Sequence, residues 1–299
     1  MRSLRSFAAT LCFFAAIVAH AAITVATYNI ENYLVADRMV DGVYRAAYPK
    51  PESEKTAVRK AIVAIAPDII ALQEIGTPPF LAELQRDLKT DGADYPHALV
   101  LDAADPDRHV AVLSKLPFKA VRKHAAVPVT FLDKKDVVKR GVLEVTFATD
   151  AGDLTLFIVH LKSKRTEHPD DIEGTAQRQA EAEAVRDLAL ARFPEPAKAM
   201  FMICGDWNDT RNNKPVKTLL KRGATELGTI VETMDSRGEG WTHFYRAANT
   251  YSQIDYLLVS PALRPFVTSG RGNIYDGVGV LDGSDHRPVS LKLNLNPAK

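Results

Sequence analysis

The residues able to do chemistry in this chain stand at the ends of apolar runs. Met200 to Cys204 is apolar, stops at Gly205, and is followed at once by Asp206, Asn208 and Asp209. A buried strand ends this way when its carboxyl edge presents polar groups. Asp206 and Asn208 point the same way if the strand period persists, which sets a carboxylate beside an amide. An Asx turn is the alternative, because Gly, Asp and Asn favour turns. Gly205 leaves room for a ligand or metal to approach the backbone. The same polar ending recurs at Asn29, Glu31 and Asn32, at Glu74, and at His160. Asp255 lies between Ile254 and Tyr256 at the start of an apolar run, where a carboxylate is costly without a partner. The partner should be a histidine, and the cluster Asp282-Gly-Ser-Asp-His-Arg-Pro288 supplies His286. A histidine whose tautomer is fixed by a carboxylate exchanges protons near neutral pH. No Ser or Cys is placed like a nucleophile with a base, so attack by water is expected.

The elements that must position these groups follow from period and punctuation. Ile23 to Ile30 predicts a central strand, Tyr33 to Glu54 a long loop, and Glu54 to Ile65 a helix ended by Pro67. Asp68 to Glu74 predicts a second buried strand, Phe80 to Lys89 a helix, and Ala98–Leu101 and Val110–Ser114 short strands. Gly141–Thr149 and Leu154–His160 read as a hairpin joined through Asp150-Ala-Gly-Asp153. Thr175 to Arg192 is the longest helix, Lys214 to Arg222 another, and Trp241 to Tyr245 an aromatic loop. Gln253–Ser260 and Val289–Leu295 complete the strands. Polar strand ends separated by helices and hairpins, with no break in composition, predict one mixed α/β domain.

The 299 residues, 46% of them hydrophobic, suffice for a large core. Residues 1–21 differ in kind: Arg2 and Arg5 precede an apolar run from Phe7 to Val18, and Ala19-His20-Ala21 fits a small-x-small cleavage pattern. This is the pattern of a secretory signal peptide, with residues 22–299 as the mature domain, placed in a bacterial periplasm or outside the cell. Removing Arg2 and Arg5 and no acid takes the formal charge from +1 to −1, so the mature chain is not a polybasic nucleic-acid binder. Cys204 would be the one remaining cysteine, which rules out an internal disulfide and reads as packing. No second membrane-span candidate follows, and a monomer with no obligate protein partner is expected.

Six fragments in order, Thr27-Tyr-Asn-Ile30, Leu72-Gln-Glu74, His160-Leu-Lys-Ser163, Gly205-Asp-Trp-Asn208, Ile254-Asp-Tyr256 and Ser284-Asp-His-Arg-Pro288, resemble the endonuclease/exonuclease/phosphatase superfamily, DNase I-like proteins included. The resemblance spans nearly all of the mature chain. It implies a four-layered α/β sandwich, two mixed β-sheets packed face to face with helices outside, and a site at one end. It also implies roles: Glu74 as principal metal ligand with Asn29 and Asp285, His286 as the histidine at the scissile phosphate, and Asp255 as the carboxylate orienting it. Asp206 would position or deprotonate water, Asn208 contact a phosphate oxygen, and His160 donate to a phosphoryl or leaving oxygen. Abasic-site endonucleases of the family generally have a tyrosine near that last position, so His160 points away from them. Oxygen ligands suit Mg²⁺ or Mn²⁺, whereas zinc more often recruits thiolate or several imidazoles.

Substrate class is the finer question. Lys162, Lys164 and Arg165 beside His160, with Arg140 at a strand start, could hold the phosphates of a nucleic acid. Tyr33, Tyr44, Arg45 and Tyr48 in the first long loop could meet a groove or a base. The expectation is therefore a metal-dependent nuclease. The alternative is a small-molecule or lipid phosphodiesterase or phosphatase, and the least favoured is an inert binding module, against which the full set of acids, amides and histidines argues. A lipid substrate would ask for an exposed apolar hairpin, and none is evident in the sequence.

Overall fold

The computed structural model describes residues 22–166 and 168–295. The expected signal peptide, residues 1–21, lies outside the described residues. Among the described residues thirteen strands build two sheets, and the longer ones follow the apolar runs of the sequence. In chain order they are β1 (Ile23–Tyr33), β2 (Ile69–Ile75), β3 (His97–Leu101), β4 (His109–Ser114), β5 (Ala120–His124), β6 (Val142–Thr149) and β7 (Gly152–His160). Then come β8 (Met200–Asp206), β9 (Thr229–Ile230), β10 (Glu232–Met234), β11 (Asp255–Val259), β12 (Arg271–Ile274) and β13 (Val289–Leu293). The first sheet has the order β10-β12-β13-β1-β2-β4-β3 and the second β9-β11-β8-β7-β6-β5. Both are mixed: β1 runs parallel to β2 and antiparallel to β13, and β8 runs parallel to β7 and antiparallel to β11.

Period-2 alternation explains the layering. Val25, Ile69 and Val112 meet Leu143, Val145, Ile158 and Leu257 between the two sheets. Ala26, Ile70 and Leu72, one residue out of phase, face Val58, Ile62, Leu84 and Leu88 on helices α1 (Glu52–Ile65) and α2 (Pro78–Thr90). On the other side Phe157, Phe201 and Leu258 pack against Ala182, Val185 and Val216 of α3 (Thr175–Arg192) and α4 (Lys214–Leu220). The result is the expected four-layered sandwich. Cys204 lies in the inter-sheet layer, and burial pushes its thiol up to about 12, which leaves it inert.

Three local expectations are corrected. The long loop from Tyr33 is instead a hairpin, Val35–Val40 with Val43–Pro49, turned at Asp41-Gly42, where both residues have positive φ. An Asp-Gly pair between β-rich runs is the signal for such a turn, and Val35, Met39, Val43 and Tyr44 are exposed on it. An exposed apolar hairpin therefore exists. Second, α4 ends at Leu220, and Lys221–Arg222 pairs with Thr225–Glu226. Third, the aromatic loop is paired: His243–Tyr245 runs antiparallel to Thr250–Ser252. Strands β5, β9, β10 and β12 are short or polar and carry no alternation strong enough to mark them.

Gly205 also serves a different purpose from the one its position suggests. A Cβ there would lie 1.9 Å from the Val159 carbonyl oxygen, and its φ is +143°. The space is filled by the neighbouring strand, not left for a ligand. Gly205→Ala should therefore cost at least about 3 kcal/mol, read as a fall in the urea midpoint. A midpoint equal to the parent's would show that the strands have room to part here.

Candidate active site

Strand direction alone brings the polar strand ends together. In the second sheet the register places His160 opposite Asp206, and Asp206 opposite Asp255, so three strands present one row at their rim. Asp255 can stand at the start of β11 because that strand is antiparallel to β8. In the first sheet Asn29 pairs with Gln73, and the ladder slips beside Glu74 on its β4 side. Such irregularities re-aim side chains. Glu74 has φ +62°, and Glu31, Asn32 and Asn208 are also left-handed. Asparagine adopts this conformation readily, but glutamate does not, so at Glu31 and Glu74 the backbone of this rim is held against local preference. The start of β13 lies beside the end of β1, so the segment before it docks there: Ser284 Oγ donates to the Asn29 carbonyl at 2.7 Å, and the Asp285 N–H donates to Glu31 Oε2 at 2.9 Å.

Asp206 lies at the centre and is buried. Its Oδ2 accepts from Asn29 Nδ2 at 3.0 Å and its Oδ1 from the Asn208 N–H at 2.8 Å. The latter contact is the Asx turn, so turn and site coexist. Burial, reinforced by the charge of Asp255, pushes its pKa up to about 7. His286 Nδ1 is 2.8 Å from Asp255 Oδ2, as the cost of an unpartnered Asp255 required, and its Nε2 is 3.8 Å from Asp206 Oδ2. Burial favours the neutral ring, but Asp255 and Asp206 outweigh it and hold the His286 pKa well above the ordinary imidazole value. His160 is the opposite case. Burial, with Arg140 nearby, holds it well below that value, and its Nε2 lies 3.5 Å from Asp206 Oδ2 and 3.9 Å from Glu74 Oε1.

The remaining expected residues divide. Glu74 Oε2 accepts the Asn32 N–H at 3.0 Å and faces Arg108 Nε at 4.0 Å. Glu31 lies among the acids, its pKa raised by burial and then by Asp285, with Glu74 adding to it. Asn208 Nδ2 donates to the Leu161 carbonyl at 2.9 Å and to Asp206 Oδ2 at 3.2 Å, so its amide hydrogens brace Asp206 rather than reach outward. Arg140 is buried with Nε 2.8 Å from Asp105 Oδ2 but misaligned for a hydrogen bond, and its Nη1 has no hydrogen-bond partner among the described residues. The Lys162 ammonium turns back onto the Arg165 carbonyl, whereas Lys164 and Arg165 are exposed. Asp209 is outside the site, bound to Arg178 at 3.0 Å with both side chains buried. His243 and Arg108 were not foreseen. His243 Nε2 lies 3.5 Å from Asp285 Oδ2, a neighbour that only the pairing of distant segments creates.

The donor chemistry fits a hard divalent cation. The Asn29 side-chain oxygen accepts the Glu31 N–H, Glu74 Oε2 the Asn32 N–H and Glu31 Oε2 the Asp285 N–H, so these oxygens are tied to one short stretch of backbone. Burial first, then the charges of Asp285 and Glu74, raise Glu31, a cost that a cation would relieve. A four-layered sandwich gathering acids, amides and a carboxylate-held imidazole at one rim is the framework of a metal-assisted phosphoesterase. Residues 26–286 match the Endonuclease/Exonuclease/phosphatase family, and the chain belongs to it. Among solved structures it is similar to an endonuclease/exonuclease/phosphatase family protein from Leptotrichia buccalis C-1013-b, with 15% identity over 91% of this chain and 99% of that one, TM-score 0.62. Sphingomyelinase C from Streptomyces griseocarneus is 18% identical over 92% of this chain and 100% of that one, TM-score 0.62. The human Nocturnin catalytic domain is 16% identical over 91% and 93%, TM-score 0.59. These likenesses are of fold. No curated protein matches the sequence at a significant level.

Proposed function

We propose that this protein is an exported, Mg²⁺- or Mn²⁺-dependent phosphodiester hydrolase that acts on nucleic acid by direct water attack. The observation that carries the reading is the row His160, Asp206, Asp255 of one sheet, set against Asn29 and Glu74 of the other and closed by His286. Glu74, Asp285, Glu31 and the Asn29 oxygen would hold the cation, which supplies charge neutralisation at the phosphoryl oxygens. Asp206 takes the proton of the attacking water. Its pKa of about 7 suits a base at neutral pH, and Asn29 and Asn208 fix its oxygens. His286, kept protonated by Asp255, delivers a proton to the leaving oxygen. His160 stays neutral, held so by its burial and by the nearby charge of Arg140, and donates one N–H to a phosphoryl oxygen. Export rests on the pattern of residues 1–21.

A second reading is favoured by one observation, the exposed Val35, Met39, Val43 and Tyr44 of the hairpin beside Asn32. An apolar projection next to the site suits a lipid phosphodiester. A panel of supercoiled and linear DNA, RNA, sphingomyelin, inositol phosphates and a nitrophenyl phosphodiester, run with mature protein and Mg²⁺ or Mn²⁺, separates the two. Replacing exposed Lys164 and Arg165 by alanine should lower the salt slope of polynucleotide binding by up to about 2 in log K against log salt. The nitrophenyl substrate, too small to reach them, should keep its rate. Equal losses on both substrates, or a polymer rate indifferent to salt, would turn the assignment toward a small or lipid phosphodiester.

A further inference from the structure

His243 is brought to the site by an antiparallel bridge with His286, framed by the Phe244 N–H on the Asp285 carbonyl at 2.9 Å and the Arg287 N–H on the Thr242 carbonyl at 2.6 Å. Directly opposed residues on an antiparallel pair project from the same face, and the two rings lie 4.6 Å apart between centroids. Each ring has its Nδ1 side occupied. Asp255 holds that of His286 at 2.8 Å, and Ser252 Oγ faces that of His243 at 3.5 Å. Each Nε2 faces Asp285, at 3.5 Å for His243 and 3.8 Å for His286, whose Nε2 is also 3.8 Å from Asp206 Oδ2. One ligand atom from each of the three residues lies within 4.8 Å of the other two.

We propose that His243, Asp285 and His286 form a zinc-class transition-metal site that shares Asp285 with the oxygen-ligand position around Glu74. When filled, the site turns the enzyme off by capturing His286 Nε2. Tetrahedral zinc with ligands at about 2.0–2.1 Å sets its donors about 3.3 Å apart, so the observed spacing closes by small side-chain movements. Two imidazoles and a carboxylate, with outer partners that fix the ring orientations, form the donor set that zinc prefers and magnesium does not. Site occupancy is independent of the reaction. The switching half rests on the functional reading above, because only a His286 used in proton transfer is missed when a metal takes it.

The test uses metal-free mature protein, Zn²⁺ with a competing chromophoric chelator, and Co²⁺ as a visible reporter of coordination. One equivalent of Zn²⁺ should bind. His243→Gln should weaken it by at least about 10-fold, the lower end for losing even an outer partner of a metal site. His243→Cys, which restores a zinc ligand, should retain binding and shows that the altered hairpin still folds. Glu74→Gln should keep zinc. In Mg²⁺, hydrolysis of a nitrophenyl phosphodiester should fall in step with zinc occupancy, and His243→Gln should need at least about 10-fold more zinc to lose half of its own rate. Zinc affinity unmoved by His243→Gln, or lost in Glu74→Gln and kept in His243→Gln, would overturn the site. Full turnover with zinc bound would overturn the switch. A protein that binds zinc as described and hydrolyses no phosphodiester would instead sink the functional reading and leave the site standing.

Discussion

Asp206→Asn should be nearly inactive and, without metal, should gain stability relative to the parent as pH rises from 5 to 8. The activity loss is expected at about 10²–10⁴-fold, the usual contribution of a positioned proton acceptor. The gain in stability follows from linkage. The pKa of Asp206 is pushed up from the ordinary carboxylate range to about 7 by burial and by Asp255. A group whose folded pKa is raised in this way makes no difference below the unfolded value near about 4. It opposes folding increasingly as pH rises from there to about 7, and holds that cost above. The amide removes the ionisation; its one oxygen keeps either Asn29 Nδ2 or the Asn208 N–H, while its NH₂ meets the other donor, a cost that does not change with pH. Melting curves of both proteins at pH 5 and pH 8 should show the difference in Tm widening in favour of the variant as pH rises. A difference in Tm that does not change between pH 5 and pH 8 would show that burial does not raise the Asp206 pKa.

His286→Ala should lose activity to the same order but with the opposite effect on stability. Asp255 is buried, His286 is the partner of its Oδ2, and its Oδ1 has none among the described residues. Removing the imidazole leaves that carboxylate stranded, and breaking a buried pair from one side typically costs about 3–5 kcal/mol. Because the His286 pKa is raised, its contribution to stability is full below about 6.5, the unfolded imidazole value, and fades as pH climbs through the folded value. The difference between parent and variant in urea should accordingly be larger at pH 6 than at pH 9. The double variant His286→Ala, Asp255→Ala should recover part of the loss, because both ends of the pair are then gone. A double variant weaker than either single one would mean that Asp255 is held by something other than His286.

The contrast between the two replacements has a cause that the sequence exposes in part. Asp255 in an apolar run demands a cation, and His286 is the histidine of the cluster before the last strand, so that pair is legible from cost alone. The row His160, Asp206, Asp255 is legible as strand ends but not as a row, since register depends on which strands pair and in which direction. Glu74 lies on an irregularity with a left-handed backbone, and nothing in Leu72-Gln-Glu74 announces it. The sandwich follows from alternation in β1, β2, β6, β7 and β8, whereas short edge strands such as Thr229–Ile230 have too few residues to alternate. The hairpin at Asp41-Gly42 carried a usable turn signal that prolines, charges and aromatics around it obscured. His243 gave no signal. Its meeting with Asp285 requires residues 242–244 to pair with 285–287, a contact across about forty residues that no local period encodes.

Whether these residues form one metal-dependent phosphodiesterase site is tested most directly by single-turnover hydrolysis of a phosphodiester by purified residues 22–299. The protein should be silent in EDTA, recover with Mg²⁺ or Mn²⁺, and fail to recover in Glu74→Gln at metal concentrations that saturate the parent. The parent's rate should rise with pH as Asp206 ionises, at or below the value of about 7 of the metal-free site, because the cation's charge favours the carboxylate. Full turnover in chelator, or a Glu74→Gln protein that matches the parent at every metal concentration, would contradict the account.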